Sequence, residues 1–240
     1  MEFENYSNFV SDRNRELEQS RILPVLMRKV YTWMALALVI TGIVAYGIGN
    51  SPGLIQALYT NCTAILVMAL AELGLVFWLS SRINRLSLTT ATAGFIAFSV
   101  LNGMTLGCVF IVYTSASIAR TFFITAGTFG AMALIGATTK KDLSKIGGIL
   151  LMALIGLIIA GLVNMFLRST MFDLILSGVG VLVFCGLTAW DTQWIKQTLA
   201  EAPDTGEAAQ KIALIGALSL YLDFINLFIY LLRFLGNNRN

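Results

Sequence analysis

The chain has 240 residues, of which 57% are apolar and 12% charged, with a mean hydropathy of +0.79. Charged residues are about half as frequent as in a soluble domain, which excludes an ordinary soluble fold. Histidine is absent, so the commonest zinc ligand and the usual near-neutral acid–base group are missing. The net charge of +3 comes from basic residues dispersed among apolar segments, with no aromatic–basic groove pattern, which argues against nucleic-acid binding.

Residues 1–29 are polar and hold Arg13, Arg15, Arg21, Arg28 and Lys29. They read as a retained cytoplasmic arm. The apolar segment after them is too long for a signal-peptide core, and no small-residue cleavage site follows. Seven apolar segments then reach the roughly 20 residues that a membrane crossing needs: 30–49, 62–80, 89–112, 121–138, 147–167, 171–191 and 212–234. The expectation is a seven-helix transmembrane domain over 30–235 and a short tail, 236–240. Connections are short except 192–211, whose "EAPDTGEAAQK" reads as a loop that a helical extension of the sixth span can enter.

Twelve of the basic residues fall on the N-terminal side of the membrane and four on the other. By the positive-inside rule the N-terminus is cytoplasmic and the C-terminus outside. Small-residue pairs at a spacing of four, Gly103/Gly107, Gly127/Ala131 and Gly156/Ala160, offer close helix packing. Cys62, Cys108 and Cys185 sit in separate apolar segments, so neither a disulfide framework nor a metal site is expected.

The chemistry lies in the acids. In "SLYLDFINLF", Ser219, Asp223, Asn226 and Tyr230 are spaced 4, 3 and 4, one polar stripe on an apolar helix. An ionisable residue at membrane depth costs about 2.5–3.5 kcal/mol on insertion scales and marks a functional site. Asp191 ends the sixth span in "GLTAWDTQWIK". It reaches the level of Asp223 only if the sixth helix runs past it or the seventh begins deeper in the cell. Glu72 lies in the second span, with Arg82 and Arg85 at its inner end, where both also serve as positive-inside anchors. Two carboxylates that meet in a low-dielectric site share a proton, and such a pair can titrate near neutral pH without histidine. Deprotonated, the pair repels itself, or one member takes a cation such as Arg82 or a hard metal ion such as Ca²⁺.

"SLYLDFINLFIYLLRFLG" resembles the C-terminal signature of the Bax inhibitor-1 family, the transmembrane Bax-inhibitor-motif proteins. "GLTAWDTQWIK", "TTKKDLSKIG" and "ELGLVFWLSSRINRLS" extend the resemblance over nearly the whole chain from Val30. The resemblance implies an all-α integral membrane protein with six helices around a central seventh, set in the cell inner membrane. It also implies a pH-sensitive calcium leak that serves calcium homeostasis. In it, Asp191 and Asp223 form the sensing pair and touch Ca²⁺ transiently. Arg82 is the match to an arginine that switches partners with one of them. Glu72, Ser219, Asn226 and Tyr230 support the site. No cofactor is implied beyond Ca²⁺ as the permeant ion; protons and membrane lipid are the other partners.

Two further readings stay open. The chain could be a regulatory protein that binds a membrane protease or other membrane partner through its arm, or a proton-coupled cation exchanger that uses the same aspartates. An enzyme is not expected. "LYLD" lacks the Gly-x-Gly-Asp of aspartyl intramembrane proteases, and zinc hydrolases and rhomboid-type proteases need histidine.

Overall fold

A computed structural model describes residues 2–60 and 62–237, with side chains from Arg21 onward except that of Cys62. Met1 and the last three residues of the predicted tail lie outside the described residues. Among the described residues nine helices follow in order: α1 (Glu2–Gly49), α2 (Pro52–Tyr59), α3 (Cys62–Arg82), α4 (Leu88–Leu106), α5 (Val109–Val112), α6 (Ser115–Thr138), α7 (Ser144–Leu167), α8 (Thr170–Ala200) and α9 (Glu207–Leu235). No strand occurs among the described residues. Seven of these segments are long and apolar enough to span a membrane, α4 and α5 together forming one of them.

The last helix is the centre. Tyr221, Leu220 and Leu227 on α9 are fully buried, and α9 packs on α1, α4, α6 and α8. The other two spans form an outer layer: α3 packs on α4, and α7 on α8. Lipid covers their outward faces, so Phe77 and Phe166 are exposed without cost, being as apolar as their surroundings.

Two helices are longer than hydropathy predicts. The sixth span does not stop at Asp191; α8 continues to Ala200, and α9 already starts at Glu207. Polarity ends the hydropathy window there, but one face stays in the core: Thr192, Ile195 and Leu199, spaced 3 and 4, are buried. The packed part of α1 likewise begins before residue 30, because Leu26 is fully buried and α1 runs unbroken through Pro24.

Small residues set the tightest crossings. Gly103 lies against the Thr41 carbonyl and Val44 of α1, and Gly107 against Ile48. Gly136 sits on the Ala189 carbonyl of α8, Gly147 under the Trp190 indole, and Gly180 under the Tyr230 ring. Of the predicted pairs only Gly103/Gly107 is used; Gly127 and Gly156 have no neighbour in reach.

The extension of α8 past Asp191 also pins the α6–α7 connection. Gln193, 6% exposed, accepts from the Leu143 amide at 2.8 Å and donates to the Lys141 carbonyl at 2.9 Å. Lys196 caps the Ala137 carbonyl at the end of α6. Within this connection, hydrogen bonds from Ser144 hold the Asp142 carboxyl below the usual carboxylate range. Gln193→Ala removes both bonds to the connection. It should cost about 1 kcal/mol and speed tryptic cleavage at Lys140 and Lys141. Unchanged cleavage kinetics would show that Gln193 does not hold this connection.

Candidate functional site

Phe184 of α8 stacks on Tyr230 of α9, with ring centroids 5.7 Å apart. The two helices are antiparallel neighbours. Asp191 lies seven residues after Phe184, and Asp223 seven residues before Tyr230. Seven residues are nearly two full turns, so each aspartate keeps the facing side of its helix. Both therefore come to the same level, on opposite sides of one interface. Beyond Asp191 along α8, Gly216 receives Ile195 and keeps the two helices close.

The pair opens onto a cavity of about 590 Å³ between α3, α7, α8 and α9. Its polar lining is the stripe read from the sequence: Ser219, Asp223, Asn226 and Tyr230, with Asp191 opposite. Its apolar walls include Leu73 of α3, Leu151, Leu154 and Ile158 of α7, and Phe184 and Leu187 of α8. Trp190 and Trp194 stand beside Asp191. The α7 residues are spaced 3 and 4, one face of that helix.

Asp223 is 5% exposed, and its Oδ2 has no hydrogen-bond partner. Buried carboxyl oxygens are normally satisfied, so this one requires a proton, a water or a cation. Asn226 spends its amide on the Leu222 carbonyl at 2.8 Å within its own helix. Two carboxyl groups across an apolar cavity repel when both are ionised, and a single proton held between them removes the repulsion.

Two predicted residues lie elsewhere. Arg82, at the end of α3, is exposed and does not line the cavity. Glu72 is half-buried beside α4, where Thr105 donates to its Oε1 at 2.5 Å and Asn102 to its Oε2 at 3.3 Å. Among the described residues no group of three or more Cys, Asp or Glu side chains gathers to hold a resident metal. Trp190 and Trp194 were not singled out from the sequence; they flank Asp191 in "AWDTQW", where tryptophan reads equally well as a membrane-interface anchor.

A seven-span helical protein with a central helix and an acidic cavity beside it is thus defined. The sequence profile of the family described as inhibitor of apoptosis-promoting Bax1 matches residues 23–240. The chain is 48% identical to inner membrane protein YbhL of Escherichia coli K12 over 219 residues, 90% of this chain and 93% of that protein. It is 42% identical to an uncharacterised protein of Borreliella burgdorferi, covering 95% of this chain and 99% of that one. It is 44% identical to the uncharacterised protein RP147 of Rickettsia prowazekii, covering 89% and 90%. The chain belongs to the Bax inhibitor-1 family.

Proposed function

We propose that this protein is a pH-sensitive cation leak pathway with Ca²⁺ as the permeant ion, gated by protonation of Asp191 and Asp223. The observation that carries the reading is the meeting of the two acids on one cavity, with Asp223 Oδ2 lacking a partner. Holding one proton, the pair is a latch that ties α8 to the central helix. Losing it, the pair repels, and the carboxylates become hard oxygen donors. Ser219 and Asn226 add neutral oxygens to the same wall. A cation held this way exchanges instead of lodging, because two carboxylates and neutral oxygens do not complete a rigid cage. Likeness to YbhL supports the inner membrane, and the twelve basic residues on one side support a cytoplasmic N-terminus.

Purified protein in liposomes with a trapped Ca²⁺ dye tests this. The expected result is influx that changes between pH 6 and 8, does not saturate like a carrier, and needs no gradient of a coupling ion. Folded protein that passes no Ca²⁺ at any pH would overturn the leak reading in favour of a regulatory partner acting through residues 1–29.

A further inference from the structure

The aspartate cavity has a side opening. α3 rests on α4 and α7 rests on α8, and the cavity lies between the two. Leu73 of α3 and Ile158 of α7 line it and are 69% and 56% exposed, so they stand at its mouth. Leu73 is the twelfth of the 21 residues of α3, and Ile158 the fifteenth of the 24 of α7. Both lie near the middle of their spans, where the mouth meets hydrocarbon and not water.

The inner wall is built of acceptors. Asp223 Oδ2 is buried without a partner, and Asp191 faces it across the cavity. Ser219 and Asn226 add neutral oxygens on the same wall. No Lys or Arg lines the cavity; Arg233, further along α9, is taken by Asp173 at 3.6 Å. Aromatic rings complete the lining: Phe184 and Tyr230 on one side of the acids, Trp190 and Trp194 beside Asp191. Trp194 is 42% exposed, so part of its ring is open. Carboxylates among aromatic rings are the chemistry that recognises an organic ammonium: the ring faces attract the cation, and the acids accept its N–H groups. An inorganic ion would use the oxygens and leave the rings and apolar walls idle. The volume of about 590 Å³ falls in the range of roughly 300–1,000 Å³ that small-molecule sites occupy.

We propose that the cavity binds a long-chain primary amine, drawn from the bilayer through the gap between α3 and α7. The ammonium group sits between Asp191 and Asp223. Its N–H donors go to Asp223 Oδ2, to the Asp191 carboxylate and to a neutral oxygen of the stripe. The alkyl chain leaves past Leu73 and Ile158 into the hydrocarbon. Charge selects against phospholipid headgroups, because a phosphate would face two carboxylates with no cation in the lining to hold it. An alkylamine also crosses hydrocarbon in its uncharged form, which a metal ion cannot do. The inference rests on the geometry of the cavity and not on the leak, so it holds whether or not Ca²⁺ passes.

Tryptophan emission of the protein in lipid nanodiscs, titrated with dodecylamine at pH 8, tests the proposal, with dodecanol as the uncharged control. The expected result is a saturable change in emission with the amine and none with the alcohol. Affinity should fall about tenfold or more in Asp223→Asn and in Asp191→Asn, whose amides keep the shape and lose the charge. Leu73→Phe with Ile158→Phe narrows the mouth on the lipid face, where a larger apolar side chain does not disturb the core. That variant should slow the onset of the response in stopped-flow traces. Equal responses to amine and alcohol, or an affinity unchanged in both Asn variants, would overturn the site. An onset that the double Phe variant does not slow would overturn entry between α3 and α7.

Discussion

Gly136→Val should abolish recovery of folded, monodisperse protein, while Gly127→Ala, on the same helix, should be neutral or mildly stabilising. Any Cβ at 136 overlaps the carbonyl of Ala189. That obstacle is backbone, and it cannot rotate away as a side chain would. Overpacking a good core costs about 1–3 kcal/mol, and more where the backbone must move. In lipid, close approach at small residues is much of what holds helices together, so the loss is not recovered by hydrophobic burial. The displaced segment also carries Asp191, two residues on, so any surviving protein would have the aspartate pair out of register. At Gly127 nothing lies within 4 Å of an added Cβ, and alanine gains up to about 1 kcal/mol of helix propensity. Size-exclusion profiles and thermal midpoints of the two variants check the contrast. Equal behaviour would mean that α6 and α8 do not cross where Gly136 meets Ala189.

The second large effect concerns the aspartates. Asp191→Asn or Asp223→Asn alone should make Ca²⁺ influx insensitive to pH from 6 to 8. One amide and one carboxyl cannot repel as two ions, and an amide donates to the remaining carboxylate at any pH. The latch then no longer depends on a proton. Each variant is nearly isosteric, so the walls of the cavity and the Phe184–Tyr230 stack should stay in place. What changes is the charge facing the partner across the interface.

Much of this site is written locally and part of it is not. The stripe Ser219, Asp223, Asn226 and Tyr230 is visible because a 4, 3, 4 spacing of polar groups on an apolar helix has one physical meaning, and all four residues line the cavity. The level of Asp191 is not visible, since hydropathy falls after it while the helix runs on to Ala200, held by the buried face of Thr192, Ile195 and Leu199. Small-residue spacing shows that a helix can pack closely without showing where the partner is. Gly103 meets α1, whereas Gly127 and Gly156 meet nothing. Arg82 illustrates the same limit for charge, because an inner-end anchor and a site arginine look identical in one sequence. Glu72 is conspicuous as an acid in an apolar span. The hydrogen-bonded side chains that lead away from it come from α4, α9 and α1, and long-range pairing of that kind leaves no local signal.

The most direct test is the ratio of Ca²⁺ influx at pH 6 to that at pH 8, in liposomes matched for folded protein. It should be measured for wild type, Asp191→Asn and Asp223→Asn. The predicted result is a ratio clearly different from one in wild type and close to one in both variants. A wild-type ratio preserved in both variants would contradict the account and remove the aspartate pair from the gate.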